Sequence, residues 1–323
     1  SCSQGGGRGG RATLYYPFWH LEVEDLLVLK NNKGTEDNRI RHLDYGVQFN
    51  KLMYERLLEG GNITLFSPAD VPDLYDAFFE DQEKFKELYE KYERAYSIRK
   101  KQVPALELFS SFMQERKDTG RIYLMNVDHC NTHSSFYEGK ATIRTSNLCC
   151  EITLPTTPLT DINDENGEIS LCTLAAINWG KIKKPEDFRK PCELVVRALN
   201  ELLDYQDYMV PAAEKGTMKR RPLGVGIINF AYWLAKNDSN YSNPNLELIH
   251  EYAEAWSYYL IKASNDLAKE RGEYIEAHED SKYCSGIVPI DTYKKSVDEL
   301  VKPKYNMDWK TLREDLDNYG IYN

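Results

Sequence analysis

Ser146-Asn147-Leu148-Cys149-Cys150-Glu151-Ile152 concentrates the side chains best suited to chemistry. β-branched and apolar residues follow it, so the stretch is read as the loop end of an extended segment. In an extended chain, side chains at i, i+2 and i+4 share a face, about 6–7 Å from one to the next. Asn147, Cys149 and Glu151 then point one way; Leu148, Cys150 and Ile152 point the other. A carboxamide, a thiol and a carboxylate in a row can serve as an orienter, a sulfur reactant and a general base. The competing reading is a half-buried strand with a core cysteine, because free cysteine is among the most buried residue types. Spacing alone leaves both open.

Other chemistry-bearing motifs are weaker. Gly5-Gly6-Gly7-Arg8-Gly9-Gly10 matches GxGxxG literally. That fingerprint needs a strand before it and a helix after it, whereas here a strand, Ala12 to Tyr16, comes after. What remains is a glycine-rich loop with one cation, Arg8, and a polar reach from Ser3 and Gln4. Gly224-Val225-Gly226 is placed at the opening of a helix, without the preceding strand that a phosphate loop requires. His129, Cys130 and His133 supply three soft ligands, but no second pair stands at the spacing that completes a tetrahedral zinc site. No metal is assigned. Asp161 to Gly167 resembles a calcium loop only in part: its glycine falls at position seven, and Cys172 stands where the bidentate glutamate belongs. Asn166-Gly167 reads better as a tight turn between two extended segments. That turn makes it plausible for Cys172 to lie near the Cys149 face, and spacing does not decide whether the thiols meet.

The elements that position these residues alternate between strand and helix, an α/β pattern. Helices are expected at Glu22 to Asn31, Tyr45 to Leu58, most of Val71 to Arg116, Pro185 to Tyr208, Leu223 to Lys236, Pro244 to Arg271 and Trp309 to Tyr319. Strands are expected at Ile63 to Phe66, Arg121 to Met125 and near Gly286 to Ile290, and His129 is placed in a hydrogen-bonded loop closing a strand end. With 323 residues, 41% apolar and 28% charged, the chain has the balance of a soluble globular protein. A net charge of −10 argues against a nucleic-acid partner. No apolar run approaches the roughly 18 residues of a membrane span, and the first residues lack a signal-peptide core. Seven scattered cysteines fit a reducing cytoplasm better than a disulfide framework.

Taken together, SCSQGGGRGG, WHLEVEDLLVLKNN, TGRIYLMNVDHCNTHS, SNLCCEI, NDENGEISLCTLAA, LLDYQDYMVPAA, LGVGIINFAYWLAK and VPIDTYKK span essentially the whole chain. Their combination resembles the large, catalytic subunit of class I ribonucleotide reductase, of the bacterial and phage aerobic type. The resemblance implies part of a ten-stranded α/β barrel with a finger loop through its middle. Residues 1–323 would form the central part of the catalytic domain, with 142–152 as the finger loop and 1–11 as the loop that relays effector identity. By the same resemblance Cys149 is the thiyl radical that removes the substrate's 3′-hydrogen. Glu151 accepts the 3′-hydroxyl proton, and Asn147 holds a ribose hydroxyl. Leu148 and Cys150 add backbone contacts to substrate, Cys150 departing from the usual apolar or small residue with an inert thiol. Cys172 is one of the two cysteines that reduce the 2′ position and close to a disulfide. Cys2, Ser3, Gln4, Gly5 and Arg8 work in the effector loop.

The implied function is reduction of ribonucleoside diphosphates to deoxyribonucleoside diphosphates for DNA synthesis. The implied partners are a metal-containing small subunit that supplies the radical, a second large subunit, and thioredoxin or glutaredoxin. No cofactor is expected on the chain itself, and ATP and deoxynucleoside triphosphate effectors bind mostly outside it. The family's regulatory domain and the other reducing cysteine lie upstream of these motifs. Its phosphate loop, stacked tyrosines and C-terminal cysteine pair lie downstream. The segment alone is therefore expected to be inactive. A non-catalytic remnant or scaffold piece that works only with other polypeptides is the alternative. A glycyl-radical or cobalamin enzyme of the same barrel class fits LEVEDLLVLKNN and NDENGEISLC less well.

Overall fold

The computed structural model describes residues 3–292 and 304–323. The chain divides into two compact units, residues 1–134 with 138–155, and residues 135–137 with 156–323.

The first unit begins with a hairpin, β1 (Ser3–Gln4) antiparallel to β2 (Arg8–Gly9). Gly5 and Gly6 turn it at φ of 55° and 75°, a left-handed region that glycine enters without a steric cost. β3 (Thr13–Pro17) then pairs in parallel with β4 (Asp44–Phe49). The β4 stretch is a strand where a helix from Tyr45 is expected, and the helix starts only at Lys51, running to Leu58. All six β4 residues are buried. A central strand covered on both faces loses the alternation that marks strands in sequence, which leaves its apolar run indistinguishable from a helix start.

β5 (Asn62–Phe66) and β6 (Lys100–Pro104) form an antiparallel pair. Between them stand helices Pro72–Glu80 and Gln82–Arg94, and after them Ala105–Thr119. The expected helical block is therefore interrupted by β6, and Gly120 ends it in the left-handed conformation. β7 (Ile122–Asn126) joins the other edge of β4 in parallel, giving the order β3-β4-β7. Phe18, Trp19, Phe49, Phe78, Phe85 and Phe112 form the aromatic centre of this unit's core. The expected helix from Glu22 shrinks to Val23–Leu27.

In the second unit β8 (Thr173–Asn178) pairs in parallel with β9 (Leu223–Ile228). β9 corrects the helix expected from Leu223, which occupies only Phe230–Lys236. Val225, Ile227 and Ile228 are β-branched, and a side chain on Gly224 would run into Leu174 across the pair at 2.4 Å. Helices Arg189–Tyr205, Pro211–Arg220, Leu246–Arg271 and Trp309–Tyr319 complete the unit. Where a strand is expected near Gly286 the chain makes 3-10 turns at Lys282–Ser285 and Pro289–Asp291, separated by Gly286 at a φ of 64°. Glu168, buried beside Arg220 and Lys219, ties the entry to β8 onto the Pro211–Arg220 helix. The described residues show α/β architecture with no closed barrel among them. No helix among them is long and apolar enough to cross a membrane.

Tyr15, Gly46 and Tyr123 stand in register across β3, β4 and β7, so they share one face of the sheet. A Cβ on Gly46 would sit 2.3 Å from the Tyr15 ring, which has settled into the space the glycine leaves. Gly46→Ala is expected to destabilise the protein by about 1–3 kcal/mol through overpacking. In equilibrium urea unfolding, Tyr15→Ala added to it should cost less than the sum of the two single changes; full additivity would show that the ring and the glycine do not interact.

Candidate functional site

Residues 141–152 run without strand or helix, and their backbone is tied down by side chains. Ile143 is fully buried, and the Asn131 carboxamide grips it at both polar atoms. Asn131 Nδ2 donates to the Ile143 carbonyl at 2.9 Å, and Asn131 Oδ1 accepts from the Ile143 N–H at 2.8 Å. Asn131 is held in place by the short helix Val127–Thr132, which replaces the expected loop. Gln48, buried on β4, donates to the Arg144 carbonyl at 2.8 Å. The Arg144 guanidinium reaches Asp76 and Glu80 and lies over the Phe79 ring.

The tip is a turn. The Cys150 N–H donates to the Asn147 carbonyl at 3.2 Å, so Asn147 to Glu151 is not the extended segment expected from the sequence. Asn147 Oδ1 accepts from the N–H groups of Glu151 and Ile152 at 3.1 and 3.2 Å, closing the turn from inside. Tyr15 donates its hydroxyl to the Asn147 carbonyl at 2.7 Å, and Thr13 donates to the Leu148 carbonyl at 2.7 Å. Cys150 adopts a φ of 64°, a left-handed conformation that costs a side-chain-bearing residue roughly 1–2 kcal/mol. The consequence is a separation of the two thiols: Cys149 is exposed, while Cys150 turns inward and packs on the core of the first unit. The opposite facing expected from strand alternation thus arises from a turn.

Three polar ends at the tip are unspent. Among the described residues Asn147 Nδ2, the Cys149 thiol and the Glu151 carboxylate have no hydrogen-bond partner, although the backbone around them is pinned. Burial, and after it the Cys149 thiol, push the Tyr123 phenol above its ordinary pKa. Burial and contact with the Cys150 thiol push Tyr15 upward more strongly. Cys130 is pushed up to about 11 by burial and by the neighbouring Cys150. Each of these groups keeps its proton at neutral pH.

Cys172 lies in the second unit, exposed, one residue before β8. The turn expected at Asn166-Gly167 belongs to a loop closed by paired backbone bonds between Thr157 and Glu168. Asp164 caps that loop from within, and the Thr160 and Asn166 N–H groups hold its carboxyl down to about 2. Its acidic charge is used locally. His129 and His133 lie a helical turn apart, ring centroids 5.2 Å, and no group of three His, Cys, Asp or Glu side chains suited to a metal occurs among the described residues. Ser3, Gly5 and Arg8 sit on the exposed β1–β2 hairpin, with Gln4 on its first strand. Cys2 and part of VPIDTYKK fall outside the described residues. Thr13, Tyr15, Gln48 and Asn131 are the contributors that sequence reasoning missed. A lone hydroxyl or carboxamide carries no spacing signal, and only the fold brings them to the tip.

Asn131→Ala is expected to free both polar groups of buried Ile143, at about 1–3 kcal/mol for each group left unpaired. Hydrogen–deuterium exchange should show faster exchange at the Ile143 amide, with β4 unaffected; unchanged protection at Ile143 would contradict the clamp.

The model of the ribonucleotide reductase barrel domain matches residues 1–323. The chain is 59% identical to the ribonucleoside-diphosphate reductase subunit alpha of Haemophilus influenzae, over 100% of this chain and 43% of that protein. It is 60% identical to ribonucleoside-diphosphate reductase 1 subunit alpha of Escherichia coli, over 100% of this chain and 42% of that protein. The subunit alpha of Enterobacteria phage T4 is 52% identical, again over 100% of this chain and 42% of its own length. The chain thus spans less than half the length of these curated relatives.

Proposed function

The chain belongs to the ribonucleotide reductase barrel-domain family, and from that premise we propose that it forms the radical-bearing core of a ribonucleoside-diphosphate reductase large subunit. The observation that carries the reading is the finger tip. There a thiol, a carboxylate and a carboxamide N–H₂ stand unspent on one pinned turn among the described residues. In this reading the Cys149 thiyl takes the hydrogen atom from C3′ of the ribose, becoming a thiol again. Glu151 removes the 3′-hydroxyl proton, and its exposure leaves the carboxylate open to that hydroxyl. Asn147 directs its Nδ2 donors at a ribose hydroxyl while its oxygen keeps the turn closed. The 2′-hydroxyl then leaves as water while Cys172 and a second cysteine upstream of these residues supply two electrons and two protons and close to a disulfide. The Cys149 thiol returns its hydrogen atom to C3′, and an external dithiol, thioredoxin or glutaredoxin, reduces the disulfide.

Asn147, Leu148, Cys149, Cys150 and Glu151 form the substrate edge, and the β1–β2 hairpin with Cys2, Ser3, Gln4, Gly5 and Arg8 reports effector identity to it. The radical comes from a metal-containing small subunit, and the large subunit works as a homodimer. Nucleoside triphosphate effectors bind mostly beyond these residues, and the setting is the cytoplasm.

The full-length large subunit with its radical-generating partner tests the assignment through isotope exchange at C3′ and product analysis. Cys149→Ser should abolish exchange, because the serine O–H bond is too strong to yield its hydrogen atom. Cys172→Ser should leave exchange intact but strand the substrate radical, giving damaged nucleotide and released base. Cys150→Ser should change little. Exchange retained in Cys149→Ser and lost in Cys150→Ser would overturn the radical site.

A further inference from the structure

We propose that Thr13 and Tyr15 are positioning residues for this reaction, their hydroxyls fixing the two peptide planes that lead into Cys149. The inference rests on Cys149 being the radical cysteine and adds the residues that aim its sulfur.

Thr13 and Tyr15 are two apart on β3 and so project from the same face of the sheet. Thr13 holds the Leu148 carbonyl and Tyr15 the Asn147 carbonyl, each at 2.7 Å. The partners run in opposite order along the two segments. The side chains thereby attach the tip to β3 as a backbone ladder would attach an antiparallel strand. Because a peptide unit is planar, a fixed carbonyl fixes the N–H that follows it. The Leu148 carbonyl belongs to the same plane as the Cys149 nitrogen. Between that pinned plane and the Cys149 sulfur only φ and χ1 of Cys149 remain free to turn.

On the far side the Cys150 and Glu151 N–H groups are held by the Asn147 carbonyl and side chain. Cys149 is thus an exposed residue suspended between anchored neighbours. A hydrogen-atom transfer requires the sulfur within a few ångströms of C3′, and small errors of placement are costly. Gly46 completes the device, since a side chain there would displace the Tyr15 ring and its hydroxyl. Of the two ties, Thr13 acts closer to the sulfur. The Asn147 carbonyl keeps the Cys150 N–H if Tyr15 is lost, whereas among the described residues the Leu148 carbonyl has Thr13 alone.

The test uses the full-length large subunit with its radical-generating partner. Thr13→Val preserves the β-branched shape and removes the hydroxyl; Thr13→Ser restores a hydroxyl in a smaller side chain. Thr13→Val should lower kcat and C3′ exchange by ~10-fold while leaving KM near that of the parent. Thr13→Ser should recover most of the loss, and Tyr15→Phe should show a smaller fall in kcat than Thr13→Val. Parent-like kcat in Thr13→Val, or equal impairment of Thr13→Val and Thr13→Ser, overturns the positioning role. Cys149→Ser serves as the companion control. If it abolishes exchange while Thr13→Val is unaffected, positioning alone falls; if it retains exchange, the assignment of Cys149 falls and takes this inference with it.

Discussion

A backbone that leaves a sheet keeps its hydrogen-bonding groups, and when it runs against a core each of them needs a partner. The finger stretch meets that demand with side chains. Asn131 satisfies Ile143, Gln48 takes the Arg144 carbonyl, Tyr15 and Thr13 take those of Asn147 and Leu148 at the tip, and the Asn147 side chain closes the return. Apart from Asn147, each of these side chains stands on the β3-β4-β7 sheet or on the helix that follows it. The geometry of this turn is therefore inherited from that sheet. The net value of each bond is modest, about 0.5–1.5 kcal/mol, but leaving a buried carbonyl unmet costs more than making the bond gains. That asymmetry lets a segment without regular structure hold one conformation.

The same demand accounts for the unequal fates of adjacent cysteines. An extended tip would place them on opposite faces by simple alternation. The turn reaches a comparable division by putting Cys150 into the left-handed region and onto the core. Cys150 gains burial against the strain of its backbone, and Cys149 is left at the surface with an accessible thiol. Cys192 marks the opposite extreme: fully buried, its thiol is pushed up to about 12 by desolvation and faces the Trp256 carbonyl.

How much of this was legible in sequence depends on which force shaped each part. The long helix Leu246–Arg271 and the last helix Trp309–Tyr319 declared themselves by periodicity and termination signals. β4 and β9 did not. The first is buried on both faces and has no polar alternation; the second carries two glycines, and at one of them, Gly224, Leu174 fills the space a side chain would take. Both owe their conformation to strand partners distant in sequence, which overrides local preference. The stretch itself was visible in sequence as a cluster of residue types. The turn was not visible, because it depends on Tyr15 and Thr13, more than 130 positions away.

The central claim is that this network presents Cys149 and withdraws Cys150, and thiol labelling of the reduced native protein tests it most directly. With a small alkylating reagent, and tandem mass spectrometry to distinguish the neighbours, Cys149 should react well ahead of Cys150 in the folded protein. The two rates should converge in denaturant. Equal native rates, or Cys150 reacting first, would contradict the account.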